Sequence, residues 1–275
     1  GLLADVLGPT AYGAAHSEQA VTSNANALVG AGDRAIIGLA SPIRRNTLEG
    51  AYMAIAEPTS LAVRLEQRIR ERNARVCVMG LGYVGLPLAV LLAEEGFSVT
   101  GIDPDRGKCA ALAAGESYIA DIAPDRIRAV SEAGTLRASW SPDPLADADV
   151  AIICVPTPLS KSKDPDISFI VSAVEDLARF RHQGMLVILE STTYPGTTEE
   201  ILLPRIQQNG YIVGKDVFVA FSPERVDPGN KQYTISNTPK VVGGVTPNCL
   251  RLAQALYDTI VERTVPVSSP ATAEM

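Results

Sequence analysis

Three glycines in six residues, Gly80-Leu81-Gly82-Tyr83-Val84-Gly85, stand between an apolar run at 76–79 and a helical pattern at 84–95. A bend of this kind, leaving a strand and opening a helix, is where backbone N–H groups can face a diphosphate. Gly80 would allow the tight turn, Gly82 the close approach of the phosphates, and Gly85 the packing of helix on sheet. The helix start favours negative charge there by roughly 0.3–1 kcal/mol when exposed. Glycine spacing alone also serves flavin enzymes, methyltransferases and plain close packing, so a second feature is needed. Asp103 supplies it, ending the next apolar run about 20 residues on, where a carboxylate accepts from ribose hydroxyls. This combination points to NAD. A 2′-phosphate near that carboxylate would be repelled by roughly 1 kcal/mol in water and roughly 4 at an effective dielectric of 20. Arg106 and Lys108 leave NADP open, and a plain turn residue before Pro104 explains Asp103 equally well without the glycines.

Three more apolar runs end in polar residues. Cys154-Val155-Pro156-Thr157-Pro158 places Thr157 where prolines force the chain off a sheet. Glu190-Ser191-Thr192-Thr193-Tyr194-Pro195-Gly196-Thr197-Thr198 crowds hydroxyls onto a strand-to-helix turn, some of them helix caps, with Thr197 and Thr198 the nearest candidates. Ser222-Pro223-Glu224-Arg225-Val226-Asp227-Pro228-Gly229-Asn230 brings a carboxylate, Glu224, to the same edge as Thr192. A surface Glu224 paired with Arg225 is the ordinary reading of such a residue in isolation. Convergence of successive strand ends on one crevice favours a general base instead.

The elements that must position these residues alternate in type. Strands are expected at 76–79, 98–102, 150–155, 186–189, 217–221 and 263–267, and helices at 84–95, 107–114, 124–133, 168–180, 197–208 and 247–260. That order predicts an α/β fold, a doubly wound parallel sheet of the Rossmann-like kind. Four stretches are expected: an irregular extension over 1–52, an amphipathic lead-in over 53–72, the dinucleotide-binding domain over 73–270, and the start of a further helix over 271–275. Leu61, Leu65 and Ile69 at helical spacing mark the lead-in, and Met53 is a candidate natural start.

Composition narrows the function. With 46% hydrophobic residues in 275, the chain can fill a substantial core. A net charge of −7 gives no footprint for nucleic acid or an anionic membrane. The uncharged run 76–93 reaches membrane-span length, but Gly80, Gly82, Gly85 and Pro87 make strand, turn and helix the better reading. Four scattered cysteines, Cys77, Cys109, Cys154 and Cys249, fit reduced thiols in a cytoplasmic protein. His16 and His182 lack ligand-spaced partners and are expected to face solvent, so no metal is assigned.

From about Arg70 onward the chain resembles the UDP-glucose/GDP-mannose dehydrogenase family, on four blocks in order. These are Gly80-Leu81-Gly82-Tyr83-Val84-Gly85-Leu86-Pro87, Val155-Pro156-Thr157-Pro158-Leu159, Glu190-Ser191-Thr192 and Ser222-Pro223-Glu224-Arg225. Pro165-Asp166, Asp227-Pro228-Gly229-Asn230 and Pro239-Lys240-Val241-Val242-Gly243-Gly244 are similar to the branch acting on UDP-N-acetylglucosamine, with the mannosamine branch close. The resemblance implies two successive NAD-dependent oxidations at C6 of a UDP-sugar, with a cysteine carrying a thiohemiacetal and then a thioester. It implies Glu224 and Thr192 as catalytic residues. For the cofactor it implies Gly80, Gly82, Tyr83, Val84, Gly85, Asp103, Lys108, Val155, Pro156, Thr157, Ser191 and Thr192. For the substrate it implies Glu224, Arg225, Val226 and Asp227.

Where the sequence departs from that pattern, the expectation changes. No Gly-Gly-His-Cys-type segment is present, and the family's lysine and asparagine would lie beyond Ala271-Thr272-Ala273-Glu274-Met275. The sequence therefore reads as the NAD-binding half of a longer enzyme, inactive alone; a homodimer is expected of the full-length form, and a monomer stays open for this one. Two alternatives stand beside it: a stand-alone NAD-binding or regulatory module, and another NAD-linked dehydrogenase sharing the glycine loop.

Overall fold

The computed structural model describes residues 58–158, 165–224 and 234–275. The expectations for 1–52 and for Arg225, Val226 and Asp227 lie outside the described residues. Helix α1 (Ser60–Arg70) leads into strand β1 (Arg75–Met79). There follow α2 (Gly85–Glu94), β2 (Ser98–Ile102), α3 (Arg106–Ala113), α4 (Pro124–Glu132), β3 (Leu136–Ser139) and β4 (Val150–Ile153). The second half holds α5 (Ser168–Phe180), β5 (Leu186–Leu189), α6 (Leu203–Ile206), β6 (Phe218–Phe221), β7 (Lys240–Gly244), α7 (Pro247–Tyr257), β8 (Thr264–Val267) and α8 (Pro270–Glu274).

These strands form one eight-stranded sheet in the order β3-β2-β1-β4-β5-β6-β7-β8. Among these strands the chain runs from β1, inside the sheet, out to β3, then crosses to β4 and builds the other half. Strands β4, β5 and β6 are buried at every position, as expected of central strands covered on both faces. Helix α5 buries Ile170, Ala173, Val174 and Leu177, a stripe at helical spacing. Helix α1 is an integral part of the fold: it buries Ala62, Leu65 and Ile69, and Arg68 pairs with Asp149 at 2.5 Å.

All six expected strands form, within two residues at their ends, and two further strands appear. Strand β3 was missed because in Leu136-Arg137-Ala138-Ser139 only Leu136 is buried. Strand β7 was not among the expected strands, its run of Lys240-Val241-Val242 being short before two glycines. The doubly wound, mostly parallel sheet is as expected, and the reversal comes at β7, which pairs antiparallel with β6, Phe221 opposite Gly243. His182 corrects an expectation: it is half-buried, with Nε2 2.9 Å from the Ala148 carbonyl oxygen.

The helix expected at 197–208 begins as a π-turn, Thr198–Leu202, before α6. Its free N–H groups are met by neither Thr197 nor Thr198 side chains. Instead Glu274, from α8, accepts from Gly196 N (2.5 Å), Thr198 N (2.9 Å) and Thr198 Oγ1 (2.6 Å). A carboxylate at a helix start is favoured by the dipole as well as by these bonds. Glu274→Ala should therefore cost about 2 kcal/mol of stability, the scale of a charge-assisted hydrogen bond. Urea unfolding checks this, and an unchanged midpoint would remove Glu274 from the account.

Candidate functional site

The bend after β1 is built by contacts that only glycine tolerates. Gly80 has φ +93°, and a Cβ there would lie 2.6 Å from the Cys154 carbonyl oxygen. At Gly85 a Cβ would lie 1.9 Å from the Gly80 oxygen and 3.0 Å from Cys154 Cβ. Bend, helix start and the end of β4 are thus pressed together. Gly82 differs, because nothing lies within 4 Å of the place its Cβ would occupy. That open side faces a cavity of about 460 Å³, within the ~300–1,000 Å³ usual for small-molecule sites. No side chain caps α2 at Val84.

The cavity gathers most of the expected residues. Gly80, Gly82, Tyr83, Val84, Asp103, Lys108, Val155, Pro156, Thr157, Ser191, Thr192 and Glu224 all line it. Gly85 lies beneath the bend as a packing residue and does not line the cavity. The parallel sheet explains the convergence: β1, β2, β4, β5 and β6 all end at one edge, and each strand end delivers its polar residues there. Ser191 is held by donating to the Val155 oxygen at 2.8 Å, which ties two of these strand ends together. Tyr83, 67% exposed, stands at the rim.

Asp103 is 5% exposed and accepts three hydrogen bonds. Its Oδ2 takes Leu81 N at 2.9 Å and Lys108 Nζ at 2.8 Å, and its Oδ1 takes Asp105 N at 3.0 Å. Burial alone would raise its carboxyl, but the hydrogen bonds from Lys108 and the two amides outweigh it and hold the group below its ordinary value. Asp103 is therefore an anion. A carboxylate has about four acceptor positions, so one remains for a ligand hydroxyl. The turn reading and the binding reading of Asp103 are compatible, since the same carboxylate shapes the turn and faces the cavity. Arg106 is occupied elsewhere, stacked over Trp140 at 5.1 Å.

Several lining residues were not anticipated. Tyr118 donates to the Leu81 oxygen at 2.9 Å, bracing the bend from 37 positions away, and burial followed by the Asp103 charge raises its phenol. Ile119 and Cys154 add apolar surface. Glu190 forms part of the floor, with Lys240 and Tyr257 donating to its two oxygens. Glu190 and Cys154 had a sequence signal, each standing at a strand end beside an expected site residue, Ser191 and Val155. Cys154 is buried, and burial with the nearby Glu190 charge drives its thiol well above the ordinary range. Burial likewise raises Cys77, to about 12, and also Cys109 and Cys249. None of the four is poised as a thiolate nucleophile. Among the described residues no group of His, Cys, Asp and Glu could hold a metal ion, and no helix is long and apolar enough to cross a membrane.

A glycine bend at the centre of a doubly wound sheet, with an anionic carboxylate closing the next strand, defines a Rossmann-like dinucleotide-binding fold. The chain belongs to the UDP-glucose/GDP-mannose dehydrogenase family, whose NAD binding domain matches residues 74–261. It is 36% identical over 191 residues to UDP-N-acetyl-D-glucosamine 6-dehydrogenase of Pseudomonas aeruginosa, covering 69% of this chain and 44% of that one. It is 37% identical over 204 residues to UDP-N-acetyl-D-mannosamine dehydrogenase of Pyrococcus horikoshii, covering 73% and 48%. Among solved structures, the UDP-N-acetyl-mannosamine dehydrogenase of S. aureus superposes with a TM-score of 0.69 at 31% identity, over 74% of this chain and 48% of that one. The chain thus spans about half the length of the relatives it matches.

Proposed function

We propose that residues 73–270 bind NAD and present its reactive end to C6 of a UDP-N-acetylhexosamine or UDP-glucose, as part of a nucleotide-sugar 6-dehydrogenase. The observation that carries this reading is the open face of Gly82 beside the uncapped start of α2, in one cavity with Asp103 and Glu224. Those residues fit a dinucleotide: a side-chain-free bend for the diphosphate, and an anion with a spare acceptor position for the ribose. When bound, NAD supplies a hydride acceptor.

The chain's own residues then have distinct tasks. Gly80, Gly82, Tyr83 and Val84 seat the diphosphate. Asp103 and Lys108 hold the adenosine ribose, and Val155, Pro156, Thr157 and Ser191 line the path to the nicotinamide. Thr192 and Glu224 line the same cavity, and in this reading Thr192 orients water and Glu224 takes its proton in the hydrolytic step. Arg225, Val226 and Asp227 are assigned to the sugar nucleotide on sequence pattern. None of the chain's four thiols suits the covalent step, so this proposal assigns the chain cofactor binding and proton handling. A cytoplasmic site of action agrees with four free cysteines.

The N-acetylhexosamines are favoured over UDP-glucose by the 36% and 37% identity to the glucosamine and mannosamine relatives. Asp103→Ala tests the cofactor site. NAD binding should weaken by about 1.5–3 kcal/mol, since a charge-assisted hydrogen bond is lost. Calorimetry reads the change, and unaltered affinity in a folded variant would exclude Asp103 from the site.

A further inference from the structure

The open face that lets a diphosphate reach Gly82 also leaves the bend unpacked on that side, since nothing lies within 4 Å of the place a Cβ would take. Glycine has the widest backbone freedom of any residue, so a bend of this composition keeps one shape only if its surroundings hold it. Two hydrogen bonds do so, and both meet Leu81, between the first two glycines. Its N–H donates to Asp103 Oδ2 at 2.9 Å, and its carbonyl oxygen accepts from the Tyr118 hydroxyl at 2.9 Å. Because each peptide unit is planar, the first bond fixes the plane joining Gly80 to Leu81 and the second the plane joining Leu81 to Gly82.

Tyr118 reaches the bend from the segment 114–123, between α3 and α4, which is anchored in its own right. Glu116 N donates to the Ala111 oxygen at 2.9 Å, and Ser117 Oγ donates to the Ile119 oxygen at 2.8 Å. Ile119 and Ile122 are buried. Burial, and after it the Asp103 charge, raises the Tyr118 phenol, so the hydroxyl keeps its proton and remains a donor.

We propose that Tyr118 presets the glycine bend for the diphosphate by holding the Leu81 carbonyl, and that its ring, with Ile119, is the wall on which the adenine rests. The inference deepens the proposed function and rests on it.

A bend already held in its binding shape forfeits less freedom when a ligand arrives, and affinity rises without any added contact to the ligand. The sheet order supports the wall. Strand β1 lies between β2 and β4, so the bend that follows it divides the cavity lining in two. Asp103, Lys108, Tyr118 and Ile119 come from the chain after β2, and the lining beyond the bend comes from the ends of β4, β5 and β6. Asp103 assigns the first side to the adenosine sugar, and the base carried by that sugar meets the side chains next to it. A phenol ring and an aliphatic side chain suit the flat face of a purine.

The test is calorimetry with NAD and with ADP-ribose, which lacks the nicotinamide, on the native chain, Tyr118→Phe and Tyr118→Ala. Tyr118→Phe keeps the ring and loses the hydroxyl, so affinity for either ligand should fall about three- to tenfold, the worth of one neutral hydrogen bond. Tyr118→Ala should bind about fivefold or more weaker still, because the base loses a stacking surface. NMR of the native chain reads the wall without any substitution: the Ile119 methyl signals should move as ADP-ribose is added, under the ring current of the adenine. Unchanged affinity in Tyr118→Phe would overturn the preset bend. Ile119 signals that stay still at saturating ADP-ribose, or a loss in Tyr118→Ala that NAD shows and ADP-ribose does not, would overturn the wall. Each of these outcomes leaves the cofactor site standing. Binding of neither ligand by the native chain would strike the cofactor site and this inference together.

Discussion

Lys240→Met should destabilise the protein by about 3–5 kcal/mol at about pH 8, the cost of removing one partner from a buried ion pair. The loss should be smaller at about pH 5, and the sign follows from the carboxylate left behind. Glu190 has a folded value of about 7, above its ordinary 4.5, even with the lysine present. A group raised in the folded state contributes stability that is complete below its unfolded value and is lost as pH rises through the folded one. Without the ammonium, which opposes the effect of burial, Glu190 holds its proton more tightly, so the folded state tolerates acid and is penalised by alkali. Urea unfolding at the two pH values reads the difference. Equal losses at both, or a loss below about 1 kcal/mol at the higher pH, would show that Lys240 does not neutralise the floor of the cavity.

Gly85→Ala is the second large effect, and Gly82→Ala is its control. A methyl group at 85 meets the Gly80 oxygen at 1.9 Å, a backbone atom that cannot swing aside. The helix must move off the sheet, at a cost of about 3 kcal/mol or more, and the bend is distorted with it. At 82 a methyl group meets nothing within 4 Å, so stability should stay within about 0.5 kcal/mol of the native value. NAD binding should fall in both variants for different reasons: a deformed bend in one, an occupied approach in the other. Thermal unfolding and calorimetry together separate them. Equal stability in the two variants would contradict the packing described for the bend.

Much of this site is legible in the sequence, because its signals are local. The glycine bend, the carboxylate at the end of the next strand and the hydroxyl-rich strand ends each depend on a few adjacent residues and on strand alternation. Lys240 and Tyr257 were not readable, since they reach Glu190 across 50 and 67 positions and are brought there by tertiary packing. The direction of β7 belongs to the same class, for a short run such as Lys240-Val241-Val242-Gly243-Gly244 reads equally well either way along a sheet. The cap at Thr198 was assigned to a nearby hydroxyl and went to Glu274, 76 positions distant, because an anion outbids a neutral acceptor at a helix start. Sequence pattern thus located the cavity edge, and only the fold located what lies behind it.

Crystals of the chain grown with saturating NAD test the central claim most directly. The account predicts the diphosphate against Gly82 at the start of α2, with an adenosine ribose hydroxyl in hydrogen-bond range of Asp103. A bend left empty, or NAD bound anywhere else on the molecule, would contradict it.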